Sequence, residues 1–335
     1  MGKYVKNDIL FKKVEYSIIL EEKGDYMKVT VIGGGTGLSV ILKGLVKLEE
    51  FDVRSIVTVA DDGGSTGRLR EHYQMPAMGD IRNVMLAMGS DEGLFSQLMN
   101  YRFSGSEDVG GHNLGNLILT ALTQITGNFN EAISSICKVL NVKGEIIPAT
   151  SEIITLFAEM DDGVIVRGEH NIPEYRHYID HVYYDHEVIA TERAVEVIKD
   201  ADVIVFGLGS LYTSIIPNLI IKEIREAVVA SNAKMIYVCN AMSQGGETDN
   251  YSVEDHVRAI HKHLGCDKIS HVLVNNTEIP VEILKKYEGE YAHMIELKET
   301  EHDYEVIQGS YLDLSKGNVR HNSDVIAHEI LRIVK

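Results

Sequence analysis

Hydrophobic positions along the chain switch between two periods. Val29, Val31 and Ile32 form a short apolar run ending in Gly33-Gly34-Gly35-Thr36-Gly37. After it, Leu38, Ile41, Leu42, Leu45 and Leu48 recur at helical spacing. A strand, a glycine-rich turn and an amphipathic helix are therefore predicted, in that order. The alternation returns further on. Apolar runs at 53–60, 202–206, 234–239 and 272–274 read as strands, and 117–125, 129–140, 191–199, 280–287 and 324–334 as helices. Gly79-Asp80 opens a helix with Ile81, Val84 and Met88 on its buried face, and 92–103 form another. One more starts near Ile216, with Pro217 in its first turn. Residues 144–168 read as β segments with Asp161-Asp162-Gly163 as a hairpin turn, and 169–190 as an exposed hairpin. The fold class is α/β with parallel strands.

Polar residues gather where these strands end, the edge at which open α/β sheets bind ligands. Gly34, Gly35, Thr36 and Gly37 offer backbone N–H groups, a hydroxyl and the positive end of a helix dipole, all of which favour phosphate. Leu38 breaks the dinucleotide fingerprint, and no Gly-Lys-Ser/Thr Walker loop occurs. A tight packing turn is the plainer alternative. The next turn carries Asp61, Asp62, Ser65 and Thr66. Adjacent carboxylates there can bind ribose hydroxyls, hold Mg²⁺ on a diphosphate or act as a general base, and the hydroxyls can meet phosphate oxygens. The alternative is an Asp-Gly turn capped by its own side chains.

Asp80 suits a helix cap, and Asn83 follows in the first turn, within reach of a ligand. His112, Asn113 and Asn116 put neutral polar groups at another helix start. A second glycine-hydroxyl turn, from Gly207 to Ser214, repeats the phosphate argument, and the strand at 234–239 runs into Asn240. Arg320 could grip a diphosphate with two hydrogen bonds or simply sit in a surface salt bridge. His177 and His181 would share a helix face as zinc ligands do, but Val182, Val188 and Ile189 favour a strand, so no metal site is assigned.

Composition narrows the partners. The 335 residues are 44% hydrophobic and 24% charged, with a formal charge of −18. That charge argues against nucleic acid and anionic membranes, and leaves room for a small anion in a locally positive pocket. No apolar run is long enough to cross a bilayer and no signal-peptide pattern occurs. Cys137, Cys239 and Cys266 lack metal-ligand spacing and read as reduced thiols of a cytosolic core. Met27 directly precedes the first strand. Translation from it would make residues 1–26 an appendage; the alternative is an extra edge strand at 16–20.

Six ordered stretches, VTVIGGGTGLSVILKGL (29–45), VTVADDGGSTGRLR (57–70), MGDIRNV (78–84), GHNLGN (111–116), GLGSLYTSIIPNL (207–219) and YVCNAMSQGGETDNY (237–251), resemble the gluconeogenesis factor family, the YvcK-type proteins of bacteria. That family is similar in turn to 2-phospho-L-lactate transferase. The resemblance implies a Rossmann-like, mostly parallel sheet with helices on both faces. It also implies a single domain over 27–335 with a small β-rich insertion around 144–190. It further implies a cytoplasmic protein that binds a UDP-sugar and serves gluconeogenic growth and control of cell shape and wall-precursor supply. Tyr287 and Arg320 are the implied sugar-nucleotide contacts. Asp61 or Asp62 together with Asp80 are the implied acids of a transferase, and Gly209, Ser210, Thr213 and Ser214 match its nucleotide-diphosphate loop.

Where the transferase has a charged stretch, this chain has Gly111 to Asn116, so the acceptor side differs. Two functions follow as expectations. One is a nucleotide-sugar-binding regulator that changes its loops and acts on a protein partner. The other is a transferase of a phospho-linked group, with Mg²⁺ accompanying the diphosphate. A homodimer is left open.

Overall fold

The computed structural model describes residues 26–90, 93–105, 108–289 and 291–335. The appendage expected at 1–26 lies outside these residues except for Tyr26. Seven parallel strands form the central sheet, in the order β10-β9-β8-β7-β1-β2-β3. They are β1 (Met27–Gly33), β2 (Phe51–Val57), β3 (Glu145–Pro148), β7 (Val203–Phe206), β8 (Lys234–Val238), β9 (His271–Asn275) and β10 (Glu305–Gly309). The chain grows outward from β1 through β2 to β3, then returns to the other side of β1 and grows outward again. The connections leaving β1 and β7 therefore diverge, which makes their carboxyl ends the switch point of a Rossmann-like sheet. Val29, Val31, Ile32, Ile204 and Phe206 are fully buried, so the central strands are covered on both faces.

The helices are α1 (Gly35–Leu45), α2 (Gly64–Tyr73), α3 (Gly79–Met88), α4 (Leu94–Asn100), α5 (Leu114–Thr126), α6 (Phe129–Val139), α7 (Ile172–Tyr175), α8 (Glu192–Lys199), α9 (Ile216–Leu219), α10 (Lys222–Ala230), α11 (Val253–Leu264), α12 (Val281–Glu288) and α13 (Ser323–Val334). α1 packs on α3 and α13, while α10 packs on α8 and α9, and α11 on α9. Right-handed crossovers put these two groups on opposite faces of the sheet. Caps define several helix starts. Asn113 accepts the Asn116 N–H, and Ser252 with Asp255 forms a reciprocal capping box.

A second, antiparallel sheet has the order β5-β4-β6, with β4 (Leu156–Met160), β5 (Ile165–Arg167) and β6 (Ile179–Tyr184). The turn 161–163 joins β4 to β5, as the hairpin signal predicts. His181 lies in β6, where its Nδ1 faces Asp180 at 2.9 Å, so it does not share a helix face with His177. β11 (Leu312–Asp313) and β12 (Arg320–His321) form a short ribbon. No helix among the described residues is long and apolar enough to cross a membrane.

Candidate functional site

Two glycine turns meet at the switch point. Gly34 is extended at φ −167°, and Gly35, at φ +66°, takes the left-handed conformation that starts α1. Gly37 lies so close to the second turn that a Cβ on it would stand 2.4 Å from the Leu208 carbonyl carbon. Glycine here is a condition of packing the two turns backbone to backbone. Beyond Gly209 the chain makes a single π-helical turn, Leu211–Ile215, before Pro217 opens α9. Asn218, fully buried, binds the junction: its Nδ2 donates to the carbonyls of Gly33 (3.2 Å), Ser214 (2.8 Å) and Ile215 (3.2 Å). Asn240 holds Gly209 from the other side, accepting its N–H at 3.3 Å and donating to its C=O at 2.7 Å.

A cleft of about 510 Å³ opens over this junction. Gly34, Gly35, Thr36 and Gly37 form one wall, Gly209, Ser210, Ser214 and Asn240 another, and Tyr287 and Arg320 stand on the far rim. The Tyr287 hydroxyl accepts the Val319 N–H at 2.8 Å, which fixes α12 against the strand carrying the exposed Arg320. His321 also lines the cleft. Burial pushes its imidazole down to about 4, so the ring is neutral at pH 7. The cleft is thus walled by amides and hydroxyls at a helix start, with one cation opposite, a setting suited to an anionic ligand.

Beside it lies a set of carboxyl groups. Asp80 accepts the Gly35 N–H; burial, reinforced by the charge of Asp61, pushes its carboxyl up to about 7. Glu247 is pushed up to about 7 by burial, against hydrogen bonds from the Thr213 hydroxyl at 3.0 Å and the Tyr212 N–H at 3.2 Å. Glu169, from the small sheet's connection, is pushed up to about 8 by burial and then by Asp61, Glu247, Asp80 and Asp62. Asp61 Oδ1 accepts the Gly63 N–H at 2.9 Å, the local turn weighed from the sequence. Asp62 Oδ1 accepts the His170 N–H at 2.9 Å and so ties the small sheet's connection to the main sheet.

The remaining expected residues gather in a second, buried network around the starts of α2 and α5. Ser65 Oγ lies 3.1 Å from His112 Nδ1 and accepts the Asn113 N–H at 3.2 Å. Asn116 Nδ2 donates to Thr66 Oγ1 at 3.4 Å. Arg82 donates to Asn116 Oδ1 at 3.0 Å and to Asn83 Oδ1 at 2.7 Å. These seven polar residues come together, but none of them lines the 510 Å³ cleft. Thr213 does not line it either, because its hydroxyl is committed to Glu247. Asp80 stands between the two groups, touching the glycine turn while Arg82 feels its charge. The sequence reading did not single out Glu169, Asn218, Glu247 or His321. An Asn inside the apolar run Ile215-Ile216-Pro217-Asn218-Leu219 was the one available signal among them.

Comparisons with known proteins agree with this architecture. The family model for 2-phospho-L-lactate transferase CofD matches residues 29–312. A Bacillus subtilis protein described as gluconeogenesis factor is 45% identical over 312 residues, covering 92% of this chain and 96% of that protein. A Listeria monocytogenes protein of the same description is 44% identical over 309 residues, covering 92% and 95%. A crystal structure of a Bacillus halodurans protein superposes with a TM-score of 0.88 at 41% identity, covering 91% of this chain and 99% of that one. The chain therefore belongs to the 2-phospho-L-lactate transferase CofD family, among the members described as gluconeogenesis factor.

Proposed function

We propose that the cleft binds a nucleotide-sugar, a UDP-sugar in the first instance, and that the protein acts as a cytoplasmic regulator of growth on gluconeogenic carbon sources and of cell-wall precursor supply. The observation that carries this reading is the pairing of two glycine turns with Tyr287 and Arg320 across one 510 Å³ cleft. The diphosphate lies against Gly34 to Gly37 and Ser214, and Arg320 meets it or the sugar from the rim. A regulatory protein partner then reads the loaded cleft. Calorimetry with UDP-N-acetylglucosamine, GDP and NAD tests the ligand class. Micromolar binding of the UDP-sugar, with GDP and NAD about tenfold weaker or worse, is expected. GDP or NAD binding far more tightly would overturn it.

A transferase reading has one observation in its favour. Asp80, with its carboxyl pushed up to about 7, is poised as a general base beside the glycine turn. Asp61 and Asp80 would hold Mg²⁺, which would supply positive charge to offset theirs and that of a diphosphate. Incubation with nucleotide-diphosphate donors and a panel of alcohols would detect release of UMP or GMP. Release that disappears in Asp80→Asn favours the enzyme, and its absence with every donor leaves the binding reading.

A further inference from the structure

A separate cavity, of about 350 Å³, opens where β6, α10 and the end of α11 converge. It shares no lining residue with the cleft over the glycine turns. Val182, Val188 and Ile220 give it an apolar part. Three cations, Lys222, Arg225 and Lys262, line it against one acid, Glu187. That balance is the reverse of the chain as a whole, in which 50 acids outnumber 32 Lys and Arg. Asp180 and Asp185 lie close by but do not line the cavity, and each is engaged by a neighbour. Asp180 accepts from Lys262 at 2.8 Å and faces His181 Nδ1 at 2.9 Å, and Asp185 faces His186 Nδ1 at 2.7 Å.

Arg225 is the residue that calls for a ligand. Four arginines among the described residues are not exposed: Arg54, Arg70, Arg82 and Arg225. Arg54 donates to Asp52 and Asp200, Arg70 to the carbonyls of Ala60, Asp61 and Ile154, and Arg82 to Asn116 and Asn83. Arg225, half-buried on α10, donates to no acceptor among the described residues. A guanidinium taken partly out of water without an acceptor loses hydrogen bonds that it does not recover, so such a group ordinarily faces an anion. Lys222 lies three residues earlier on the same helix face, held only by a loose pair with Glu187 at 3.5 Å. The edge of β6 adds a donor. The Val182 N–H points outward to His263 Nε2 at 3.3 Å, and the strand period turns the Tyr184 N–H the same way.

We propose that this cavity is a second anion site, which takes the phosphate group of a small phosphate monoester. The planar fork of Arg225 meets two phosphate oxygens and Lys222 a third, while the carbon part of the ester lies against Val182, Val188 and Ile220. A phosphate monoester carries about −1.5 to −2 at pH 7, which matches the surplus of two positive charges among the lining residues. A monocarboxylate leaves one of those charges unanswered. The site does not depend on what the cleft binds, but it abuts the element that fixes the glycine turns. The Tyr184 hydroxyl donates to the Pro217 carbonyl at 2.9 Å, and Asn218, next in the same short helix, holds the Gly33 carbonyl.

Calorimetry of phenyl phosphate into the full-length chain at low salt is expected to show binding with a Kd of about 100 µM. Arg225→Ala should weaken it at least about tenfold with unchanged circular dichroism, and Arg225→Lys, which keeps the charge and loses the fork, should fall between. Arg320→Ala, at the cleft, should leave this binding in place. Benzoate offers the same ring with a single negative charge and should bind at least about tenfold more weakly than phenyl phosphate. Loss in Arg320→Ala with retention in Arg225→Ala would put the phosphate in the cleft, overturning this inference while the nucleotide-sugar reading stands. Benzoate binding as tightly as phenyl phosphate, or no binding of phenyl phosphate at about 10 mM, overturns it as well.

Discussion

The carboxyl of Asp80 lies so close to Gly34 that a methyl group on that glycine would stand 2.6 Å from Asp80 Oδ2, and it accepts the N–H of Gly35. An acid thus occupies part of the glycine turn that an anionic ligand would use. The conflict is relieved if Asp80 carries a proton, which its value of about 7 allows near neutrality. Binding of a nucleotide diphosphate should therefore take up a proton, and affinity should weaken from pH 6 to pH 8, by at most about tenfold per unit. Calorimetry in buffers of different ionisation enthalpy measures the uptake directly. Asp80→Asn should abolish it and flatten the pH profile. Mg²⁺ should restore wild-type affinity at pH 8, doing with charge what the proton does at pH 6.

The ligand-free protein should lose stability between pH 6.5 and about 8. Asp80, Glu169 and Glu247 have folded values of about 7, 8 and 7, above their usual 3.8, 4.5 and 4.5. The native state holds protons that the unfolded chain releases above about 4.5, so stability falls as pH rises from there and the loss is complete once pH passes the folded values of 7 to 8. Buried His256, His263 and His321 act in the opposite sense. Burial lowers each below 6.5, the unfolded chain takes up protons first, and stability falls as pH drops through 6.5. Below 6.5 the two sets oppose each other, so thermal melts should change little from pH 5.5 to 6.5 and fall from 6.5 to about 8. Glu247→Gln should make that fall shallower, and a melting temperature that climbs steadily to pH 8.5 would contradict the assignment.

Thr36 and Asn218 should separate ligand binding from stability. Thr36 is exposed on the cleft wall, so Thr36→Val is expected to leave the melting temperature within about 1 °C while weakening ligand binding about tenfold. Asn218→Leu removes a buried donor from three carbonyls and should destabilise by about 2 kcal/mol or more. Denaturant titration and calorimetry on both variants make the comparison.

Tyr287 and Arg320 should behave as rim residues. Arg320 is exposed and makes no ion pair among the described residues, so Arg320→Ala should barely change stability. It should weaken nucleotide-diphosphate binding about tenfold and reduce its salt dependence. Tyr287→Phe frees the Val319 N–H and should lower affinity by a smaller factor, through displacement of the strand that carries Arg320. Equal affinities for wild type and Arg320→Ala would remove the rim from the site.

Much of this arrangement is legible in the sequence, because the alternation of periods follows from burial. The first strand and helix, expected at 28–32 and after Gly37, are Met27–Gly33 and Gly35–Leu45. The apolar stretch at 117–125 is part of Leu114–Thr126. α10, α11, β10 and the β11–β12 ribbon were not foreseen. α10 follows α9 after two residues, Ile220 and Ile221, so the two blur into one pattern. The two-residue strands have too few positions to show a period. The glycine turns were readable because their chemistry is local. Glu169 and Glu247 were not, since each acquires its character only on folding, Glu169 by burial near Asp61 and Asp80 and Glu247 by burial against Thr213 and Tyr212. The same limit explains why residues expected at one site divide into a cleft group and a buried network.

The two hydrogen bonds from Asn240 to Gly209 leave neither backbone group of that glycine searching for a guest. A rim tied down in advance loses little freedom on capture, so association should run close to the rate of simple encounter. A partner that tells the filled receptor from the vacant one would then have to feel the guest itself protruding at the mouth, because the surrounding backbone has little left to rearrange.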